Sequence, residues 1–266
     1  MANSNIATLQ GYFNNETCVK NLKAMLGQKA QGFITSVLSV VNNNSLLQKA
    51  EPSTVYSSAM VAASLDLPIN PNLGFAAIVP YGRSAQFQIM TRGLIQLAIR
   101  SGQYERITNA IVHKGELVKY DPFRDEYEFD ASKRESDEVI GYMAYFRTIG
   151  GFEKYFYMTK DEALAHGRKY SKSFSSGVWN TDPNAMCLKT VTKLLLSKFG
   201  ILSIEMQRAI RLDQGVIKND FTMIESFDEI DAAEVEYVDN ATTATVTPTD
   251  EEVNPKEDLF GEEKKQ

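Results

Sequence analysis

The chain has 266 residues, a hydrophobic fraction of 43% with 10% aromatics, and a formal net charge of −6 at pH 7, which suits one large domain or two small ones. No apolar run approaches the roughly 20 residues of a membrane span, and the N-terminal "MANSNIATLQGYFNNETC" lacks the basic and then apolar order of a signal peptide. Cys18 and Cys187 lie far apart and make no disulfide framework, so a reducing, cytoplasmic compartment and no membrane partner are expected.

The first ninety residues read mostly as helices. "ETCVKNLKAMLGQKAQGFITSVLSVVNNN" has apolar residues at helical spacing and stops at the triple Asn. "PSTVYSSAMVAASLDL" offers Ser53 as a cap after Pro52 and ends before Pro68. Two short apolar runs then flank Tyr81-Gly82-Arg83-Ser84, the pattern of a β-hairpin with a polar tip. Thr91 is placed to cap the next helix, which stops near Ser101-Gly102.

Residues 105–158 change period. "RITNAIVHKGELVKY", "DEYEFD", "VIGYMAYFRTI" and "FEKYFYMT" are rich in Ile, Val, Tyr and Phe, and Gly150-Gly151 joins the last two. They predict an antiparallel sheet of three to five strands. "TKDE", Thr159 to Glu162, is a capping box for a helix through Phe174. Asp182-Pro183 starts another, which stops at Gly200, and Ser203 starts a last one through Asp213. From Phe221 to Gln266 there are 14 Asp and Glu against 3 Lys and Arg, a net of −11, with no sustained period. The other 220 residues hold 25 Lys and Arg against 20 acids, a net of +5. The expected architecture is α+β: an antiparallel sheet and a hairpin packed with several helices, a helical N-terminal region, and a disordered acidic C-terminal tail. Residues 1–220 form the working body, with an anionic ligand favoured, and 221–266 form a tail for partner contacts.

Several chemistries are missing. No GxxxxGK[ST] occurs, and there is no Gly-Lys pair at all, which removes the standard phosphate-binding loop. His113 and His166 are the only histidines and are fifty-three residues apart, a poor basis for a zinc site. The acids Asp121, Asp125, Glu126, Glu128 and Asp130, with Lys133, fit either a metal-dependent nuclease or an exposed charged strand. No Ser, Cys or Lys nucleophile has a recognisable base near it, so no enzyme and no cofactor is expected.

The informative side chains are cations in rows. Arg92, Gln96 and Arg100 recur every four residues, one face of a helix. Lys189 and Lys193 do the same in the helix after Asp182, and both are expected to be exposed because the remaining surface of that helix is apolar. Lys198, nine residues from Lys189, projects to the other side. Arg168, Lys169 and Lys172 in "HGRKYSK" make a third group, and Arg83 sits at the hairpin tip beside Tyr81. Guanidinium forks and ammonium points suit phosphates, an amide suits sugar or base edges, and Tyr104, Phe174 and Trp179 are available to stack on bases. Acids such as Glu105 are the alternative partners of the arginines.

"TRGLIQLAIRSGQYERI" and "DPNAMCLKTVTKLLLSKFG" resemble the two signature blocks of the RecT family of phage single-strand DNA annealing proteins (RecT/Redβ-like recombinases), and "YSSAMVAASLDLPINPNLGFAAIVPY" resembles its N-terminal block. The likeness runs from about Thr54 to Leu202 and leaves out the acidic tail. It implies ATP-independent annealing of complementary single strands in phage recombination. It also implies a homo-oligomer in rings or helical filaments, a 5′–3′ exonuclease partner and contact with the host single-strand-binding protein. Residue by residue, it falls on Arg92, Gln96, Arg100, Lys189 and Lys193, and adjacent subunits would align these rows into one groove. A DNA-binding scaffold that recruits a nuclease without annealing, and the metal nuclease, remain alternatives.

Overall fold

The structure, a computed structural model, describes residues 2–171, 174–175, 177–217, 230 and 233–237. Helices α1 (Ala2–Asn14), α2 (Glu16–Leu26) and α3 (Ala30–Asn42) precede α4 (Pro52–Ser64), which is buried from Thr54 to Ala63. A helix covered on every side needs small residues where neighbours come close. Ser57, Ser58, Ala59, Ala62 and Ala63 fill that role, while Tyr56 meets the rings of Tyr12 and Phe13 at 5.6 and 5.3 Å. The buried Ser58 hydroxyl donates to the Thr54 carbonyl at 2.8 Å and is satisfied within the helix.

Two helix boundaries differ from the sequence expectation. The segment from Glu16 to the triple Asn is not one helix, because Gly27 takes φ +57° and ψ −128° and its N–H closes α2 on the Lys23 carbonyl. Pro52 occupies the first turn of α4 and Glu51 is the cap, so Ser53 lies inside the helix.

Strands β1 (Ala76–Tyr81) and β2 (Ser84–Ile89) form the expected hairpin, with Gly82 at φ +58° in the first turn position. The Ala85 N–H donates to Thr54 Oγ1 and the Glu51 N–H to the Arg83 carbonyl, which fixes the hairpin on the start of α4. Helix α5 (Thr91–Arg100) follows at once. Thr91 is its first residue rather than its cap, and no side chain caps this end.

Strands β3 (Tyr104–His113), β4 (Leu117–Asp121), β5 (Glu126–Phe129), β6 (Val139–Thr148) and β7 (Glu153–Thr159) follow, and they divide. β3, β6 and β7 make an antiparallel sheet in the order β3-β6-β7, while β4 and β5 pair only with each other. That hairpin lies over one sheet face, with Tyr120 5.5 Å from Tyr157 and Phe129 5.8 Å from Tyr155. Met143 and Tyr145 point to this face, and Tyr142, Ala144 and Phe146 point to the main core. Both faces are covered, so the middle of β6 is buried without alternation.

The second half supplies α6 (Lys160–Tyr170), α7 (Gly177–Thr181), α8 (Pro183–Phe199), α9 (Ile204–Leu212), β8 (Gly215–Ile217) and β9 (Val235–Tyr237). The Thr159–Glu162 capping box and the Asp182 cap are formed as read, while α6 ends at Tyr170 instead of running to Phe174. Part of the stretch expected to lack order belongs to the body. β9 pairs with β8, Ile230 and Ala233 are buried, and Arg211 donates to the carbonyls of both. The final acidic segment, 238–266, lies outside the described residues.

One contact fixes how α5 meets the chain before it. A Cβ on Gly93 would sit 2.1 Å from the Phe75 carbonyl oxygen, a clash with backbone that no rotamer relieves. Gly93→Ala should cost about 1–3 kcal/mol, as overpacking does, and lower the melting temperature by several degrees in a circular-dichroism melt. Gly32→Ala is the control, since nothing lies within 4 Å of a Cβ there, and its midpoint should hold or rise.

Candidate nucleic-acid interface

The arginines of α5 are tied to backbone more than to acids. Arg92 Nη1 donates to the Leu73 carbonyl at 3.2 Å, and Arg100 donates to the Leu65 and Asp66 carbonyls at 2.6 and 2.7 Å. Leu65 is the C-cap of α4, whose last carbonyls lack helical partners. These forks therefore clamp the connection between α4 and β1. The Asp66 carboxylate is 3.8 Å from Arg100 but closer, at 2.9 Å, to Lys29. Glu105 pairs with Arg147 at 3.2 Å, not with this row. A guanidinium carries five donors, and Arg92 is exposed with one of them used in a hydrogen bond. Gln96 is half-buried between the two.

The lysines of α8 are not exposed as expected. Lys189 is only 4% exposed, and the Lys193 side chain 24%. The reason is the surroundings of α8, which packs against β6, β7, α5 and α6 at once, so its polar side meets protein rather than water. There it meets Asp213, the residue that ends α9 and is fully buried. Lys193 Nζ lies 2.5 Å from one carboxylate oxygen and Lys189 Nζ 3.9 Å from the other, which also accepts the Ile89 N–H at 3.0 Å. Burial alone pushes the Asp213 carboxyl up, but the two ammonium groups and the Ile89 N–H outweigh it and hold the group below the ordinary carboxylate range. Lys198 does point elsewhere, over the Phe156 ring at 5.5 Å.

Arg168 and Lys169 of α6 are exposed, with the guanidinium 5.4 Å from the Phe174 ring and the ammonium 5.0 Å from the Tyr170 ring. Lys172 lies outside the described residues. Between α6 and α8 is a cavity of about 240 Å³, lined by His166, Tyr170, Trp179, Lys189, Lys193 and Asp213 among others. Burial, and then the ammonium groups of Lys193, Lys198 and Lys169, push His166 down, so its imidazole is neutral at pH 7. The stacking candidates are differently used. Trp179 is 8% exposed and packs on Gly167, Phe174 lies 5.2 Å from it, and the Tyr104 hydroxyl is bonded to the Ile201 backbone. Arg83 is exposed on the β1–β2 turn, apart from both groups.

The structure thus brings Lys189 and Lys193 of α8 to one cavity, whose lining takes in neither Arg168 nor Lys169 of α6, and directs the α5 arginines to the α4–β1 connection, although α5 and α8 pack on each other. Asp213 and Asp66, the acids that organise these cations, have no local sequence signal. Each is a lone Asp in a turn, 20 residues from Lys193 in one case and 34 from Arg100 in the other. Four of the five acids of 121–130 are engaged otherwise: Glu126 with Lys119, Asp125 with Lys154 at 2.5 Å, Asp121 with the Phe123 and Arg124 N–H groups, and Asp130 with Ser132, while Glu128 is exposed. Among the described residues no group of three or more His, Cys, Asp or Glu is placed to hold a metal ion, and no helix is long and apolar enough to cross a membrane.

The Asp213 pairing makes stability depend on pH in a defined direction. Its folded pKa lies below the unfolded value, so its contribution is complete above about pH 4 and is lost as pH falls through the folded value. Asp213→Asn, which removes the buried negative charge that both ammonium groups face, should cost about 3–5 kcal/mol at neutral pH. Thermal melts at stepped pH should show a shallower acid-side loss in Asp213→Asn than in the parent.

A model of the RecT family matches residues 31–232, a span that takes in α5, α6, α8 and Asp213. The chain is 49% identical over 231 residues to the uncharacterised protein YqaK of Bacillus subtilis (strain 168), covering 86% of this chain and 78% of that protein. It is 24% identical over 241 residues to Protein RecT of Escherichia coli (strain K12), covering 86% of this chain and 88% of that protein. With most of its length matched, and both cation-bearing blocks inside the match, the chain belongs to the RecT family.

Proposed function

We propose that this chain binds single-stranded DNA and anneals complementary strands in phage homologous recombination, without nucleotide triphosphate and as an oligomeric ring or filament. Membership of the RecT family supports strand annealing in recombination. The observation that carries the reading to residues is the meeting of Lys189 and Lys193 on the cavity between α6 and α8, with the exposed Arg92 and Arg100 on a helix packed against α8. Annealing joins two polyanions, so cations that neutralise the first strand lower the barrier to the second. Base pairing then supplies sequence recognition, and the protein reads backbone alone. Arg83, on the β1–β2 turn, and Lys172 are further phosphate contacts in this reading, and adjacent subunits continue the surface. A 5′–3′ exonuclease supplies the single strands, and the host single-strand-binding protein is met on them, in the bacterial cytoplasm. The acidic segment after Tyr237 serves partner contacts, so removing it should leave annealing of purified strands intact.

Mixing two labelled complementary oligonucleotides tests the reading. Annealing should be accelerated with EDTA present and ATP absent. A strict need for ATP would overturn the proposal, and strand binding without faster annealing would leave only a scaffold.

The arginines of α5 are testable separately. Arg92→Ala with Arg100→Ala should flatten the salt dependence of strand affinity by about 0.7 in log–log slope per lost phosphate contact, and Gln96→Ala should be milder. The double variant should also melt earlier, because the Leu65, Asp66 and Leu73 carbonyls lose their donors. A lower melting temperature with an unchanged slope would assign these arginines to the fold alone.

A further inference from the structure

Phe123 is the outlier of the surface. It is 99% exposed, while no other large apolar residue among those described exceeds 69%. It sits on the turn between β4 and β5, and that turn is built to hold it out. Pro122 precedes it with a fixed φ. The Asp121 carboxylate accepts the Phe123 and Arg124 N–H groups at 3.1 and 3.2 Å, and Asp125, at φ +59°, is tied to Lys154 at 2.5 Å. A ring presented by a preorganised turn loses little freedom when a partner buries it. The surrounding charge says what that partner is not. From Glu116 to Glu138 there are 9 Asp and Glu against 4 Lys and Arg, a net of −5, so a nucleic-acid strand is repelled from this hairpin rather than drawn to stack on it.

The complement lies elsewhere on the same chain. A cleft of about 490 Å³ opens between the start of α3 and the segment after α4. Its floor is apolar, with Leu26, Phe33, Leu67 and Ile69 each at 8% exposure or less, and Lys29 and Arg100 line it against a single acid, Asp66. The volume is ample for a phenyl ring, since roughly 150 Å³ admits benzene in an apolar protein cavity. The chain's own Phe123 does not fill this cleft, being fully exposed.

We propose that Phe123 of one subunit seats in this cleft of the next, with the acidic hairpin facing Lys29 and Arg100. This rests on the reading that the chain works as an oligomer, and it gives that oligomer a contact. The two surfaces are different parts of one chain, so the contact is head-to-tail. Each subunit keeps a free tip at one end and a free cleft at the other, and addition continues until a ring closes or a filament grows. Arg100 lines the cleft and also ends the arginine row of α5. The junction therefore falls beside that row, where a strand bound by α5 passes from one subunit to the next.

Sedimentation velocity of the full chain reads the assembly directly. The parent should grow past a dimer as its concentration rises. Phe123→Ser changes a fully exposed position, so it should keep the parent's circular-dichroism melt. It should weaken association by about thirtyfold, as loss of a central aromatic anchor does. Gly32→Phe should act alike, because Gly32 lines the cleft and a Cβ there meets nothing within 4 Å, so the added ring occupies the cleft without disturbing α3. Mixed in equal amounts, the two variants should form dimers and stop. The intact tip of the Gly32→Phe chain enters the intact cleft of the Phe123→Ser chain, and both remaining surfaces are spoiled. Either variant assembling like the parent, or a mixture that stays monomeric, would overturn the contact and leave an oligomer built another way. A parent that stays monomeric with and without oligothymidylate would overturn the oligomer itself. A short labelled oligothymidylate separates assembly from stacking on bases: its affinity should be the same for Phe123→Ser as for the parent. A fall in that affinity with assembly intact would assign the ring to the strand and overturn the proposal.

Discussion

The fully buried carboxylate of Asp213 is the interaction on which the rest of the molecule depends. It ends α9, accepts the N–H of Ile89 at the end of β2, and faces both lysines of α8. Since β2 runs directly into α5, one carboxylate fixes the start of the arginine-bearing helix relative to the lysine-bearing one. The two signature blocks are separated by 74 residues of sheet and helix, yet α5 and α8 pack on each other, and this group ties the end of β2 to the lysines of α8. Such an arrangement adds little net stability, because the desolvation cost of the ions nearly cancels their attraction. What it supplies is uniqueness. This placement of α9 and β8 brings one carboxylate to both lysines.

The α5 arginines work by a different physical rule. Their direct partners are mainly carbonyls of the α4–β1 connection, which are neutral, so the guanidinium charge survives the hydrogen bonds. At α8 the partner is a full negative charge, so the ammonium groups are partly neutralised where they sit. The exposed arginines of α5, with Arg168 and Lys169 of α6, keep their charge toward solvent, where screening at physiological salt, with a Debye length of about 8 Å, limits its reach.

Much of the fold was legible because its signals are local. The Thr159–Glu162 capping box, the Asp182-Pro183 start and the Gly82 turn each need only a few adjacent residues to be recognised, and each is present. The division of five strands into a sheet and a covering hairpin was not legible, since Tyr127 and Tyr155 read alike as strand aromatics until their packing is known. The site divided in the same way. The four-residue spacing found Lys189 and Lys193, but their burial depends on Asp213, which follows Lys193 by 20 residues and approaches it only in three dimensions. A helix flanked by sheet on one side and by α5 and α6 on others has little solvent face to give Lys189 and Lys193, and periodicity alone does not reveal how many neighbours a helix has. β9 was missed for a related reason: three residues, Val235–Tyr237, in an acidic surrounding carry no period, and they are ordered by their pairing with β8.

That pairing sets where the acidic end of the chain is attached. With β9 paired to β8, which follows Asp213 after Gln214, residues 235–237 lie against the strand next to the buried cluster. Residues 238–266 carry 8 Asp and Glu against 3 Lys and Arg, a net of −5, so 6 of the 14 acids counted after Phe221 precede them. On the proposed reading, a polyanion tethered after β9 competes weakly with a strand that offers one phosphate per nucleotide, and effectively with isolated ions and short fragments. That reading has the acidic end favouring long single strands over short ones, a selectivity that comes from chain connectivity and charge, with no contact that distinguishes one base from another.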